Sequence, residues 1–521
     1  MMTDALWALL AVQAVLGAFD IVYHHEFMER LAWRRSQRSE LVLHGWRNAI
    51  YALLFLCFAW LDVQGWWAGL LLALLLTEVV LTLVDFVEED RSRALPASER
   101  VTHGLLALNY GIFLGLLLPV LWPRLLQTTQ IGWVSYSFIS PLVTLAAVGV
   151  SVFALRDWLA ARRMARWVTA PAAELVAALP QQQRILITGA TGFIGYRLTT
   201  ALVEARHQVT VLARNPQSAV RLASPLRIVT ELTQIDDDEV FDIVINLAGE
   251  PIANGWWTRA KRLRIIQSRL RVTQAVVSLI ARLQQRPRLL ISGSAVGWYG
   301  LRDARVLTEA DGHTPCFSHQ LCAAWERTAN SARRLGVRVV CLRIGLVLGR
   351  DGGMLSRLLV PYEFGLGGRL GDGEQMMSWI ERDDLIRLIA HCIITPNLSG
   401  PVNASAPQPV TNVQFTQSLA AALKRPALLH TPAWLLRLVG GDLARELLLG
   451  GQSVVPRQAM GSGIEFRYPL LPMALRHIID SPPRARPDNK LLTASVTAKD
   501  PATNSAGRWP AGPSTSSQAS A

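Results

Sequence analysis

Five long apolar runs dominate the first 160 residues, roughly Ala5 to Val22, Arg47 to Val63, Trp66 to Val87, Gly104 to Trp122 and Phe138 to Leu155. Each is near the ~20 residues with which an α-helix crosses a bilayer, which predicts a helical membrane domain over residues 1–160. From Arg184 the pattern changes. Arg184-Ile-Leu-Ile-Thr188 reads as a strand, Gly189-Ala-Thr-Gly-Phe-Ile-Gly195 as a glycine-rich turn, and Tyr196 to Ala205 as an amphipathic helix. A second strand, His207 to Ala213, and a later one, Phe241 to Gly249, complete a βαβ pattern. The expectation is an α/β Rossmann fold with a doubly wound parallel sheet over residues 184–405, followed by a small α/β C-terminal subdomain over 406–480.

The loops between the apolar runs test the membrane reading independently. Arg30, Arg34, Arg35 and Arg38 follow the first run, Arg91, Arg93 and Arg100 the third, and Arg156, Arg162, Arg163 and Arg166 the fifth, whereas the other two loops carry almost no positive charge. By the positive-inside rule the N-terminus is outside an inner (cytoplasmic) membrane, and an odd number of spans delivers the Rossmann region to the cytosol. A cleavable signal peptide fits poorly, because the first run has no basic flank and leads into more spans. Residues 161–183 read as an amphipathic basic linker along the membrane surface. Residues 481–521, rich in Pro, Ser and Ala, read as a disordered tail.

The net charge of +13 changes little in this picture. Arginine is spread over loops and helices rather than interleaved with aromatics, which argues against nucleic acid and for contact with membrane lipids. Five scattered cysteines without a CxxC pair point to reduced thiols, not to disulfides or structural zinc.

The glycine turn carries the chemistry. Gly189 allows the tight turn, Gly192 lets the backbone approach a pyrophosphate, and Gly195 lets the next helix pack on the strand. Thr191, Phe193 and Ile194 line the same turn, with the first helical N–H groups facing phosphate. Where NAD enzymes carry a carboxylate for the ribose, this chain has Ala213 and then Arg214, which favours NADP(H), because a guanidinium pairs with a 2′-phosphate. Leu247, Ala248, Gly249 and Glu250 end the later strand beside the cofactor. Glu250 either reaches a ribose or caps a turn.

From Arg184 to about Ile479 the chain resembles the extended short-chain dehydrogenase/reductase superfamily, in its atypical epimerase-like (YfcH-type) subgroup. The match rests on the glycine turn, Asn246-Leu-Ala-Gly-Glu250, Ser268-Arg269, Ser292-Gly-Ser-Ala-Val-Gly-Trp-Tyr-Gly300, Trp325-Glu326 and Arg343-Ile-Gly-Leu-Val-Leu-Gly349. It continues through Ser378-Trp-Ile380 with Asp383-Asp384, Pro409-Val-Thr-Asn412, Gly451-Gln-Ser-Val-Val-Pro456 and Phe466-Arg-Tyr-Pro469. The resemblance implies a dinucleotide-dependent oxidoreductase or epimerase with a small-molecule substrate. It also implies a departure. Superfamily enzymes use a tyrosine and, four residues later, a lysine. Counting back from Glu326 places Ser318 at the tyrosine position and Cys322 at the lysine position, and neither can replace its counterpart.

The substitutes are Ser294, at the position of a substrate-binding hydroxyl, and Tyr299, a nearby phenol; these are the two catalytic candidates. His313, His319 and Glu309 lie in the loop where substrate should enter. Glu381 stands where related proteins have a histidine. Asp383-Asp384 fits a helix start better than a metal.

In the membrane domain, His24, His25, Glu26, His44, Asp85, Glu88 and His103 fall at one rim of the spans. Such residues ligate iron-type metals, but they are also common at interfaces without one, and no metal ligand is assigned. Glu78 falls mid-span, where a carboxylate needs a partner; Asn109 and Asp20 are the candidates. Two readings of function follow. One is a membrane-anchored NADP(H)-dependent oxidoreductase or epimerase-like enzyme acting on a lipid-like or membrane-delivered substrate. The other is a non-catalytic NADP(H)-sensing module that regulates its membrane domain.

Overall fold

The five apolar runs form five helices: α1 (Asp4–Phe19), α2 (Arg38–Trp60), α3 (Trp66–Ser92), α4 (Ala97–Leu125) and α5 (Ile139–Ala165). In the computed structural model, which describes residues 2–93, 95–167, 171–215, 219, 222–301 and 305–480, all five segments are long and apolar enough to cross a membrane. Leu83, Leu108, Leu145 and Val152 point outward and are exposed, whereas His24, Glu40, Asp85, Glu89 and Glu99 are buried between the helices. This inverts the pattern of a water-soluble bundle, whose apolar stripe faces the core. The expected disordered tail, 481–521, lies outside the described residues.

Helix α1 does not end at Val22. It continues as a π-helical stretch, Asp20–Glu29, closed by Arg30 in the left-handed conformation. Glu78 meets Arg47 at 3.9 Å and Thr82 at 2.7 Å. The expected partners are engaged elsewhere: Asn109 donates to Gln13 and to the Leu9 carbonyl, and Asp20 pairs with histidines.

The sheet domain is built on seven strands, β1 (Arg184–Thr188), β2 (Gln208–Leu212), β3 (Arg227–Val229), β4 (Ile243–Asn246), β5 (Leu289–Ala295), β6 (Arg338–Ile344) and β7 (Gly400–Ala404). They pair in parallel in the order β7-β6-β5-β4-β1-β2-β3. The chain therefore starts in mid-sheet and winds outward in both directions, the dinucleotide-binding topology expected from the βαβ pattern. Both faces are covered. Ile185 and Ile187 pack with Leu198 and Leu202 of α6 (Phe193–Glu204). Leu186, on the opposite face, packs with Val276 and Leu279 of α7 (Arg259–Arg282).

Residues 171–179 do not lie along a membrane surface as expected. Ala172, Leu175, Val176 and Leu179 are buried in the α6 layer, and Glu204 accepts the N–H groups of Ala172 and Ala173. The amphipathic pattern was real, but the apolar side found the sheet's own helix layer. The expected boundary at 405 is also crossed. Gly368–Leu370 pairs with Leu429–Thr431, and Met376–Met377 with Val410–Thr411.

Bundle and sheet domain share one core, in which Leu31 and Trp33 pack with Leu355, Leu359 and Ile478. Glu363, at the end of α9 (Leu355–Glu363), receives Arg156 at 2.9 Å and Arg163 at 3.1 Å from α5. Trp167 Nε1 donates to the Ile479 carbonyl at 3.0 Å.

Candidate functional site

The glycine turn joins β1 to α6 at the carboxyl edge of the sheet. Gly189 has φ +75°, and a Cβ there would lie 2.7 Å from the Leu247 carbonyl carbon and 2.8 Å from the Ala248 nitrogen. The turn and the end of β4 thus touch backbone to backbone, with Leu247 N–H donating to Thr188. A Cβ on Gly195 would collide with the Gly189 carbonyl oxygen and come within 2.8 Å of the Ala190 Cα. Gly192 is different: its Cβ would meet only the Gly189 oxygen, at 3.2 Å. Helix α6 begins there with no side-chain cap, so its first N–H groups are not taken by a side chain and suit an anion. Phe193 is enclosed by the loop of Gly349 and Gly353, and the Arg382 guanidinium lies 4.8 Å over its ring. Thr191 and Ile194 complete the turn.

Arg214 is exposed just beyond β2, where Ala213 N–H donates to Val229. Gly249 lies against Arg269, whose Cζ would be 3.0 Å from an added Cβ. Glu250 is held on both sides. Its N–H donates to Ser268, and its carboxylate holds Lys261 at 2.5 Å. Below the turn, Thr188 donates to Asn246, Asn246 to Thr273, and Trp325 Nε1 also to Thr273.

The substrate side of the site differs from expectation. Ser294, one residue before the end of β5, donates to Glu326 at 2.7 Å. Glu326, on α8 (Phe317–Asn330), is gripped by Arg343 of β6 through two bonds of 3.0 and 3.1 Å. Arg343 also donates to the Tyr299 oxygen at 3.1 Å, and that phenol donates to Asn403 at 2.7 Å. Tyr299 is 0% exposed, and burial pushes its pKa up despite Arg343 beside it. Ser294 and Tyr299 are therefore brought together, but by a buried ion pair, and Tyr299 is a strut of that network with no surface for a substrate to reach.

Ser318 donates to Glu446 at 2.7 Å. Cys322 is buried, and burial, reinforced by Glu326, pushes its thiol up to about 12. Cys322 is expected to resist iodoacetamide at pH 8 in the native protein and to react after denaturation, since the thiolate is the nucleophile; peptide mass spectrometry of the alkylated chain checks this, and native labelling would contradict the burial.

Glu309 accepts backbone N–H groups of Asn403 and Gln458, a structural role. Glu381 caps α10 (Arg382–Ile394) by accepting from Asp383 and Asp384 N–H. Asp383 pairs with Arg197, as suits a helix start. His319 and His313 stack 3.7 Å apart beside Trp298, and His319 Nδ1 lies 2.6 Å from the Trp298 carbonyl. Arg269, of the Ser268-Arg269 motif, is half-buried, its pKa is lowered by burial, and it donates to the Glu250 carbonyl. Arg343 had a legible signal, a cation directly after the apolar run Val339-Val-Cys-Leu342.

Residues 185–403 match the NAD dependent epimerase/dehydratase family, and residues 431–478 match the domain of unknown function DUF1731. The chain is 37% identical over 306 residues to the chloroplastic "Epimerase family protein SDR39U1 homolog" of Arabidopsis thaliana, covering 57% of this chain and 87% of that protein. It is 33% identical over 302 residues to human "Epimerase family protein SDR39U1", covering 57% and 99%. A crystal structure of the human protein with NADPH superposes with a TM-score of 0.52 at 30% identity, over 58% of this chain and 100% of that one.

Proposed function

Because the chain belongs to the NAD dependent epimerase/dehydratase family, we propose that it is a membrane-anchored NADP(H)-dependent oxidoreductase or epimerase-like enzyme acting on a small, lipid-like or membrane-delivered substrate. One observation carries the cofactor assignment: backbone contacts require glycine at 189 and 195, leaving an uncapped helix start beside the unencumbered Gly192. Gly189, Thr191, Gly192, Phe193, Ile194 and Gly195 would hold the pyrophosphate, Leu247, Ala248 and Gly249 would lie along the cofactor, and Arg214 would take the 2′-phosphate. Bound there, the nicotinamide supplies a hydride acceptor or donor. The protein's part is to hold it at the carboxyl edge of the sheet, where Ser294 lies one residue before the end of β5. The exposed apolar faces of α1–α5 and the arginine-rich loops support anchoring, with the N-terminus outside and the sheet domain in the cytosol.

The full-length chain in detergent is expected to bind NADPH more tightly than NADH. Arg214→Ala should cut NADPH affinity by roughly tenfold to a hundredfold, the worth of a charge-assisted hydrogen bond of about 1.5–3 kcal/mol, and leave NADH affinity unchanged. Equal affinities in the unaltered protein would sink the NADP(H) assignment.

A second reading, a non-catalytic NADP(H) sensor, is favoured by the buried Tyr299 and by Ser318 and Cys322 at the usual acid/base positions. Under the enzyme reading, Ser294→Ala lowers turnover with cofactor affinity intact. Under the sensor reading, no isotopic exchange from 4-deuterated NADPH is seen with any carbonyl substrate.

A further inference from the structure

The interior of the helical bundle holds a second polar centre, remote in sequence from the dinucleotide site. His25, on the π-helical stretch, His44 on α2, Glu89 on α3, and Glu99 and His103 on α4 converge with Asp20, and all six are buried. Ligand-capable atoms of Asp20, His25, Glu99 and His103 lie within 4.8 Å of one another, as do those of His25, His44 and Glu89. We propose that this cluster binds a divalent first-row transition-metal ion.

The spacing fits. His25 Nε2 is 3.3 Å from Asp20 and 3.5 Å from Glu99. His103 is 3.2 Å from Asp20 through Nε2 and 3.3 Å from Glu89 through Nδ1, and His44 Nε2 is 3.7 Å from Glu89. Two ligand atoms, each about 2.0–2.1 Å from a tetrahedral ion, stand roughly 3.3–3.4 Å apart. Despite these approaches, His25 Nε2 and Glu89 Oε1 form no hydrogen bond, while His44 Nε2 lies 3.0 Å from Asp85. Two buried polar atoms without hydrogen bonds in one cluster are costly unless something beside them is coordinated.

Charge points the same way. Asp20, Glu40, Glu78, Asp85, Glu89 and Glu99 are six buried carboxylates, and Arg47 and Arg93 are the guanidinium groups paired with them among the described residues. The excess is four negative charges, which imidazolium groups or bound cations must offset. Arg93 takes Glu40 at 2.8 Å and both oxygens of Glu99 at 2.7 Å, which leaves Asp20, His25 and His103 as one group of ligands and His25, His44 and Glu89 as the group beside it. His24 Nδ1 holds Asp20 at 2.9 Å in the manner of an outer-shell partner.

The local backbone is shaped for this. In a π-helix, residues five apart stack on one side, which brings Asp20 over His25; such stretches concentrate at functional sites. Imidazole and carboxylate together suit iron, manganese or zinc, and no cysteine joins the set. A cavity of about 230 Å³, walled by Gly17, Phe55, Leu106 and Val150, reaches Asp20, His25 and His44. It gives a small apolar molecule access to the ion's open side.

The test uses the untagged full-length chain in detergent, purified without chelator and assayed by inductively coupled plasma mass spectrometry, then stripped and titrated with Co(II). The expected result is about one or two equivalents of a first-row metal retained per chain, and d–d absorption bands on adding Co(II). His25→Gln and His103→Gln should lower retained metal more than about tenfold, with NADPH binding kept as the sign of an intact fold. Glu26→Gln, whose carboxylate pairs with Arg156 outside the cluster, should retain metal as the unaltered chain does. Retention below about 0.1 equivalent with no Co(II) bands would overturn the proposal, as would full retention in the His25→Gln/His103→Gln double variant. If the variants fail to fold, the Co(II) titration of the unaltered chain decides alone.

Discussion

Replacing Gly195 by alanine is expected to unfold the β1–α6 turn and abolish NADPH binding. Alanine is normally the better helix former by about 1 kcal/mol, and Gly195 lies in the first turn of α6 with an ordinary helical backbone, so propensity alone predicts stabilisation. Sterics reverse the sign. The added Cβ would collide with the Gly189 carbonyl and sit 2.8 Å from the Ala190 Cα, and backbone cannot rotate out of the way as a side chain can. Overpacking of this kind costs about 1–3 kcal/mol or more. Here relief requires moving α6 off β1, which dismantles the phosphate cradle itself.

Gly192→Ala is the informative partner. Its backbone, φ −79° and ψ 171°, suits any residue, and its added Cβ would meet one oxygen at 3.2 Å. Stability should stay within about 1 kcal/mol of the unaltered chain, while NADPH affinity falls at least roughly a hundredfold, about 2.7 kcal/mol, because the methyl occupies the approach of the pyrophosphate. Thermal unfolding and NADPH titration of both variants separate packing from binding. A stable Gly195→Ala protein, or a Gly192→Ala protein with unaltered affinity, would refute the cradle.

The contrast between these glycines was legible in the sequence, since turn, strand and helix are contiguous there. The doubly wound parallel sheet was legible for the same reason, β1, β2 and β4 each being marked by an apolar run, whereas the short edge strand β3 was not. The ends of the five apolar helices were not. The predicted third span stops at Val87 and the fourth starts at Gly104, where charges appear, yet α3 runs on to Ser92 and α4 begins at Ala97. A hydropathy reading treats Glu89 and Glu99 as leaving the apolar phase, whereas both point into the bundle and are buried. One residue decides the matter. Glu88, expected at the rim, is only half-buried, while Glu89, a 100° step around the helix, is buried and faces His44 and His103. Glu26, also expected there, turns to Arg156 of α5.

Side-chain partnerships across the sheet were the other hidden layer. Tyr299 could be read as a phenol near the substrate but not as the donor to Asn403, 104 residues away. The position of Glu326 was fixed by resemblance, and its partner, seventeen residues on, was an unexplained cation directly after an apolar run.

That pair yields the other large effect. Arg343→Met is expected to destabilise the sheet domain by about 3–5 kcal/mol, because it leaves Glu326 as a buried charge with Ser294 as its remaining donor in the network. Glu326→Gln should cost less, since Arg343 keeps Tyr299 and lies 3.5 Å over the Trp298 ring. The double variant Arg343→Met/Glu326→Gln removes both charges together, and it should recover much of the loss, with a coupling of at least about 2 kcal/mol in the cycle. Denaturant unfolding of the four proteins, followed by loss of NADPH binding, measures this. Strict additivity would mean that the two side chains do not share one buried ion pair. A loss below about 1 kcal/mol for Arg343→Met would place that arginine in water instead. Coupling of the expected size makes Ser294 and Tyr299 members of a single charged lattice, so that a substitution at either is read through Glu326 and Arg343 before it is read as chemistry.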